Sequence, residues 1–318
     1  MKLATRRTLH PDGELLVVSR DASRAVSARE IAPSLHVAIS RWNAVSKELS
    51  ALAARLETGD VPGTELVDVA ELTAPLPRMA QWLDASAFKS HGRLMAEAFK
   101  MPDVTPEEWP LMYQGLSDHT YGPREPVRLP AEEDGIDFEG EFAVVLDETP
   151  MGVTEDEALG HVKLVLLAND WSLRAFGPRE MRAGFGFIHA KPATAFAPFA
   201  VTPDELGDAW QDGRVCLDLV VHRGDMLVGR PNGLEMSYGF GQLIAHAAYN
   251  RRLSAGTVIG SGTVSNAAYP DVGSTCLAEV RSIEAIERGA PETQFLRFGE
   301  RVTMDAIDAA GRSPFGSI

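Results

Sequence analysis

Apolar residues recur near helical spacing from Ser34 to Leu56, at Leu35, Val37, Ala38, Ile39, Trp42, Val45, Leu49, Leu52 and Leu56, and predict one or two amphipathic helices. Short β-type runs surround this stretch. Leu15-Leu16-Val17-Val18, after the turn Pro11-Asp12-Gly13, reads as a strand, and Val162 to Ala168 reads as a buried one. Further strands are expected at Leu217 to Arg223, Thr257 to Ile259, Cys276 to Ile283 and Arg301 to Ala306. Two capping patterns, Thr154-Glu155-Asp156-Glu157 and Thr202-Pro203-Asp204-Glu205, open short helices, the second with Pro where its missing N–H does no harm. Other helices are expected from His91 through Phe99 and near Phe240 to Asn250. The Pro-rich stretch Lys100 to Pro110 lacks periodic structure and reads as a flap. With a Gly/Pro turn at Asp60 to Thr64 and a passage at Leu76 to Arg78, residues 1–75 form a small N-terminal domain and residues 76–318 the main one. Many short strands, few helices and no repeat predict an α+β chain built on mixed, mostly antiparallel sheet.

Composition changes this picture little, but charge narrows the partners. At 318 residues, 45% hydrophobic and 24% charged, the chain is an ordinary globular protein large enough for a sizeable core. A net charge of -15 argues against nucleic acid and against an anionic membrane, so an anionic substrate must be met by local positive charge. Cys216 and Cys276 have no metal or redox spacing and read as buried free thiols of a reducing compartment. No apolar run approaches 18 residues, and Met1-Lys2-Leu3-Ala4-Thr5-Arg6-Arg7 lacks a hydrophobic segment after its charges, so a cytoplasmic protein is expected.

Candidate chemistry centres on Asp137-Phe138-Glu139-Gly140-Glu141-Phe142. On a strand, Asp137, Glu139, Glu141 and Ala143 would share one face and Phe138, Phe142 and Val144 the other. Adjacent carboxylates repel when buried, and a divalent cation neutralises them. Nucleotide loops are absent: Gly184-Phe185-Gly186-Phe187 lacks the third glycine of a dinucleotide fingerprint, and no GxxxxGK[ST] occurs. Gly260-Ser261-Gly262 is not a nucleophile elbow, although pattern alone leaves Ser261 open. What remains is a set of acids at element ends, Asp84, Glu139, Glu141 and Asp170, which suit Mg²⁺, Mn²⁺ or Ca²⁺ and not zinc. Solvated caps would look the same, so the residues alone leave both readings open.

Several separated blocks shift that balance: Asp84-x6-His91, Asp137-Phe138-Glu139-Gly140-Glu141, Asn169-Asp170-Trp171-Ser172-Leu173-Arg174, Lys191-Pro192, Gly260-Ser261-Gly262-Thr263-Val264-Ser265 and Ala278-Glu279-Val280. Through them the chain resembles the fumarylacetoacetate hydrolase family over roughly residues 78 to 310. The resemblance implies a mixed β-sandwich roll with a small N-terminal domain, commonly a homodimer, in a cytoplasmic enzyme of aromatic catabolism. It implies Asp84, Glu139, Glu141 and Asp170 as ligands of Mg²⁺ or Mn²⁺, with Ca²⁺ as an alternative. By the same resemblance His91 is the base that activates water, Glu279 the carboxylate that orients it, Arg174 and Lys191 the cationic donors, and Tyr113 and Thr263 the contacts to substrate polar groups. Gly177 and Ala195 depart from a glutamine and a threonine common in the family, Thr194 standing one position earlier. The implied reaction is hydrolysis of a carbon–carbon bond in a 1,3-diketo acid, fumarylacetoacetate or an acylpyruvate. Alternatives are a decarboxylase, hydratase or tautomerase of a related keto acid, or a module holding structural Ca²⁺, which would require His91 or Glu279 to face away from the acids. His189 and Trp171 are expected to be structural, Trp171 packing behind Asp170.

Overall fold

The structure, a computed structural model, describes residues 1–59, 61–98, 100 and 109–318. The expected flap from Lys100 to Pro110, apart from Lys100, Trp109 and Pro110, lies outside the described residues, as do Asp60 and Phe99.

Strands β1 (Lys2–Arg6), β2 (Glu14–Val18) and β3 (Arg24–Ser27) form an antiparallel meander. The helical spacing that follows resolves into α1 (Leu35–Ser40), capped by the Ser34 hydroxyl, and α2 (Trp42–Thr58), closed by left-handed Gly59. Next come β4 (Glu65–Leu66), β5 (Gln81–Ala85), α3 (Lys89–Ala98), β6 (Met112–Gly115), β7 (Ile136–Asp137) and β8 (Gly140–Leu146). Thr154 and Glu157 make the expected capping box on α4 (Glu155–Leu159). Beyond it lie β9 (Val162–Asn169), β10 (Ser172–Leu173), α5 (Gly177–Ala183), β11 (Ala195–Phe196), β12 (Ala200–Val201) and α6 (Pro203–Leu206). The chain ends with β13 (Trp210–Gln211), β14 (Arg214–Val215), β15 (Asp218–Arg223), β16 (Met226–Gly229), α7 (Phe240–Ala247), β17 (Thr257–Gly260), α8 (Tyr269–Val272), α9 (Leu277–Arg288) and β18 (Val302–Ile307).

An 11-stranded sheet runs in the order β4-β3-β2-β1-β12-β9-β8-β17-β5-β6, with β11 also on β9. Its ladders are antiparallel except β17 with β5. The second sheet, β16-β15-β18, stands over one face of the first: Phe142, Val144, Leu146, Val165 and Leu167 share a core with Leu219, Val221, Met304 and Ala306. On the opposite face Ala143, Val145, Leu164 and Leu166 pack with Leu15, Val17, Leu35, Ile39 and Leu49 of the N-terminal elements. Because both faces of β8 and β9 are covered, their sequences are continuous apolar runs and not alternating ones. No helix among the described residues is long and apolar enough to cross a membrane.

Four expectations need correction. The segment Cys276 to Ile283 is helix and not strand: Cys276 caps α9, and Leu277, Ala278, Glu279 and Ser282 face inward at helical spacing. The strand expected through Asp137 breaks between β7 and β8, which takes Asp137 off the face shared by Glu139 and Glu141. Thr202 precedes a helix, but its hydroxyl accepts from the Met1 amino group at 2.6 Å instead of from the helix, and Glu205 pairs with that amine at 3.1 Å. Cys216 is only half-buried, whereas Cys276 is buried; both are free thiols.

Candidate active site

The four acids converge at one end of the large sheet. Asp84 is the penultimate residue of β5, Glu139 and Glu141 flank the first residue of β8, and Asp170 follows β9. Register explains the convergence: Glu141 stands opposite Ala168, while Gly260 of β17 lies between Asp84 on one side and Ala143 on the other. Gly260 is required for room, because a Cβ there would meet Asp84 Oδ1 at 2.4 Å and Glu141 Oε2 at 3.0 Å. The Asp170 N–H donates to the Glu139 carbonyl at 2.9 Å and the Asn169 side chain accepts from the Glu139 N–H at 3.1 Å, which fixes these two acids side by side.

All four acids are buried, and one carboxylate oxygen from each lies within 4.8 Å of the others. Ligand oxygens around an octahedral cation at about 2.1 Å would stand about 3 to 4 Å apart, so the spacing accommodates one ion. The electrostatics are uneven. Lys191 Nζ donates to Glu139 Oε2 and Asp170 Oδ2 at 2.7 Å each, and Arg174 Nη2 lies 2.7 Å from Glu139 Oε1 in an ion-pair contact. Despite the opposing cost of burial, Lys191 and Arg174 hold Glu139 well below the usual carboxylate range, and the acids in turn hold Lys191 above the usual lysine range. Asp84 is pushed up to about 8 by burial and then by the Asp170 charge. Burial, followed by the Asp84 charge, raises Glu141 well above its ordinary range. Among the described residues no donor reaches either Glu141 oxygen, though both are buried. The neighbouring carboxyl of Asp84 becomes a partner only through a shared proton or a cation. That orphaned pair of hard oxygens fits Mg²⁺ or Mn²⁺.

Beside the acids, His91 sits in the first turn of α3, and its Nδ1 lies 2.7 Å from Glu279 Oε2. Glu279, wholly buried on α9, also accepts from Ser274 Oγ at 2.7 Å. His91 lies near enough to the acids to contribute, after Lys191 and Arg174, to the field that holds Glu139 low. Tyr113 on β6 donates to Asp170 Oδ2 at 2.6 Å, with Lys191 Nζ 5.5 Å from its ring centre and Phe187 edge-on at 5.1 Å.

The structure thus joins seven of the ten expected residues by direct contact or clustering, Asp84, Glu139, Glu141, Asp170, Arg174, Lys191 and Tyr113, and pairs two more, His91 and Glu279, with each other. Thr263 is buried next to Gly262, whose N–H donates to Asp84 Oδ1 at 3.2 Å, but among the described residues its hydroxyl bonds none of the acids. Ser261 is buried, with its hydroxyl donated to the Gly262 carbonyl at 2.8 Å, which leaves it unsuited as a nucleophile. His189 is exposed and lies 3.4 Å from Glu180, and Trp171 packs against the core. Sequence reading placed Asp137 beside Glu139 and Glu141 but missed its contacts to α9 and Arg174, and it missed Ser274 and the hydrogen-bonding role of Thr194, which donates to Asp170 Oδ1 at 2.7 Å. Only the offset of Thr194 from Ala195 hinted at any of them.

Residues 81–314 match the fumarylacetoacetate (FAA) hydrolase C-terminal domain, and residues 1–78 match fumarylacetoacetase N-terminal domain 2. A 157-residue segment, 48% of this chain, is 32% identical to 2,4-didehydro-3-deoxy-L-rhamnonate hydrolase of Sphingomonas sp. (strain SKA58) and covers 52% of it. Over 157 residues, again 48% of this chain, identity is 29% to the mitochondrial oxaloacetate tautomerase fahd2 of Xenopus laevis, with 47% of that protein covered. The chain spans about half the length of the curated relatives it matches. Among solved structures, maleylpyruvate hydrolase from Sphingobium sp. SYK-6 in complex with manganese(II) ion and pyruvate has the same fold, with TM-score 0.66 and 18% identity over 100% of this chain and 97% of that one. The chain belongs to the fumarylacetoacetate hydrolase family.

Proposed function

We propose that the chain is a divalent-metal-dependent hydrolase that cleaves a carbon–carbon bond in a 1,3-diketo acid of the acylpyruvate or fumarylacetoacetate type. The observation that carries this reading is the unpartnered Glu141 carboxylate among three other buried acids, next to a His–Glu pair. Asp84, Glu139, Glu141 and Asp170 would hold Mg²⁺ or Mn²⁺, which when bound supplies Lewis-acid polarisation of the substrate's keto oxygens. Glu279, fixed by Ser274, takes the Nδ1–H of His91, which assigns the other ring nitrogen, Nε2, as the base. His91 then removes a proton from the attacking water as its oxygen bonds to the carbonyl carbon. The adjacent carbon–carbon bond breaks, its electron pair passes to the enolate of the departing fragment, and the imidazolium returns the proton to that fragment. Lys191 directs two of its three N–H bonds at Glu139 and Asp170, leaving a third for a substrate oxygen. The name of a structural neighbour bound to manganese and pyruvate supports the metal and keto-acid class.

A second reading, isomerisation or tautomerisation of a keto acid, rests on the similarity to an oxaloacetate tautomerase, since the same base can move a proton between carbon and enol oxygen. The test is a panel of acylpyruvates and fumarylacetoacetate incubated with Mn²⁺ or Mg²⁺, with diketone absorbance followed and products identified. Two acid fragments are expected. Carbon dioxide, a hydrated product or an unfragmented isomer would replace the hydrolase reading by the decarboxylase, hydratase or tautomerase one.

A further inference from the structure

Three segments distant in sequence meet on one carboxylate that the proposed reaction does not use. Asp137 is wholly buried, and its oxygens accept four hydrogen bonds. Oδ1 accepts from the Leu277 N–H at 2.7 Å and from its own neighbour Phe138 at 2.8 Å. Oδ2 accepts from the Ala278 N–H and from Arg174 Nε, both at 2.8 Å. Every one of these donors adjoins a group of the site. Phe138 precedes Glu139, Arg174 contacts Glu139, and Leu277 and Ala278 open the helix whose third residue is Glu279.

We propose that Asp137 is a positioning residue that sets the His91–Glu279 pair against the four acids by tying the first turn of α9 to the strand segment carrying Glu139 and to Arg174. The proposal rests on the reading of His91 and Glu279 as the proton-transfer pair. The first N–H groups of a helix have no partner within it, and here the first two go to Asp137 while the third, that of Glu279, goes to Cys276 Sγ at 3.3 Å. The position of Glu279 is therefore read off Asp137 more directly than off its own helix. An asparagine of the same shape must turn an amide NH₂ towards either the Phe138 and Leu277 donors or the Ala278 and Arg174 donors. Donor would face donor in a buried site, and the helix start or Arg174 must move.

The test uses the full chain with Asp137→Asn. The short His91 Nδ1–H···Glu279 hydrogen bond is read as a downfield imidazole proton resonance, assigned by its loss in His91→Ala. In D137N that resonance is expected to vanish or move upfield. Turnover is expected to fall about 10²-fold with KM nearly unchanged, as for a misplaced reacting group. Leu277→Pro is the second variant: it deletes one donor, keeps the Asp137 charge, and follows Cys276, whose φ -149 and ψ 156 suit a residue before proline. It should move the resonance in the same direction by less, and it decides the matter alone if D137N does not fold. An unchanged resonance in a folded variant, even with lowered thermal stability, overturns the proposal. If the resonance responds to D137N while His91→Ala leaves turnover intact, the positioning stands and the proton-transfer reading fails instead.

Discussion

Glu139 and Glu141 are two residues apart, yet their surroundings give opposite expectations. Glu139 is held in its charged form by Lys191 and Arg174, so Glu139→Gln leaves two buried cations short of a partner and should lower the melting temperature in EDTA. Among the described residues no donor reaches Glu141, whose only hydrogen-bonding neighbour is another carboxyl, so Glu141→Gln removes an acid from a buried like-charged pair and should raise it. Either substitution deletes a hard anionic oxygen and should weaken Mn²⁺ binding by calorimetry. Melting shifts of the same sign would refute this division of roles. His91→Ala should cost about 10²- to 10⁴-fold in turnover with metal retained. Glu279→Gln acts on the same proton, so the double variant should be little worse than either single one, and additive losses in kcat would separate the two residues.

Among elements, β17 decides whether the acids can meet. Gly260→Ala would place a methyl 2.4 Å from Asp84 Oδ1 and 2.5 Å from the Trp82 ring. Neither neighbour is free to retreat, since Trp82 is core and Asp84 is part of the acid cluster. The expected outcome is a stability loss of about 1–3 kcal/mol together with weakened Mn²⁺ binding. The contrast is α4, which packs against α7, with its Thr154 cap exposed to solvent. Thr154→Ala should cost about 1 kcal/mol by denaturant titration and leave kcat unaltered. A drop in kcat for Thr154→Ala, or unchanged metal affinity for Gly260→Ala, would count against this separation of stability from site assembly.

For the whole molecule, the acid cluster links folding to pH and to metal. Without metal Asp84 titrates at about 8 and Glu141 well above its ordinary range, whereas their reference values are 3.8 and 4.5. Between about 4 and about 8 the unfolded chain has released protons that the folded site retains, so stability falls as pH rises through that window. Glu139, lowered in the folded state, works the other way: its contribution is complete above its ordinary range and is lost only in acid. Lys191, raised, contributes until pH passes its ordinary range and is lost above it. A cation replaces the retained protons, so stabilisation by Mn²⁺ should grow with pH. Melting temperatures from pH 5 to 8 in EDTA and in Mn²⁺ should diverge as pH rises. A constant gap would mean that metal binding displaces no protons.

How much of this was legible in the sequence follows from the range of each interaction. Helical spacing located α1 and α2, the Thr154 box located α4, and the apolar run Val162 to Ala168 located β9, because each is decided by neighbours a few residues away. The four acids could be named from side-chain type at element ends, and the His91–Glu279 pair only from the family resemblance that the separated blocks carry. Their convergence could not, because it depends on Gly260 standing in register between Asp84 and Ala143. The same limit explains the error at α9. Its start is held by Asp137, some 140 residues earlier in the chain, and a local alternation of apolar residues carries no trace of that bond. Residue chemistry was set by the sequence alone. Which acids are charged, which is unpartnered, and which one holds a helix in place were decided only by burial and by contacts across the sheet, where a low dielectric makes each missing or added partner count.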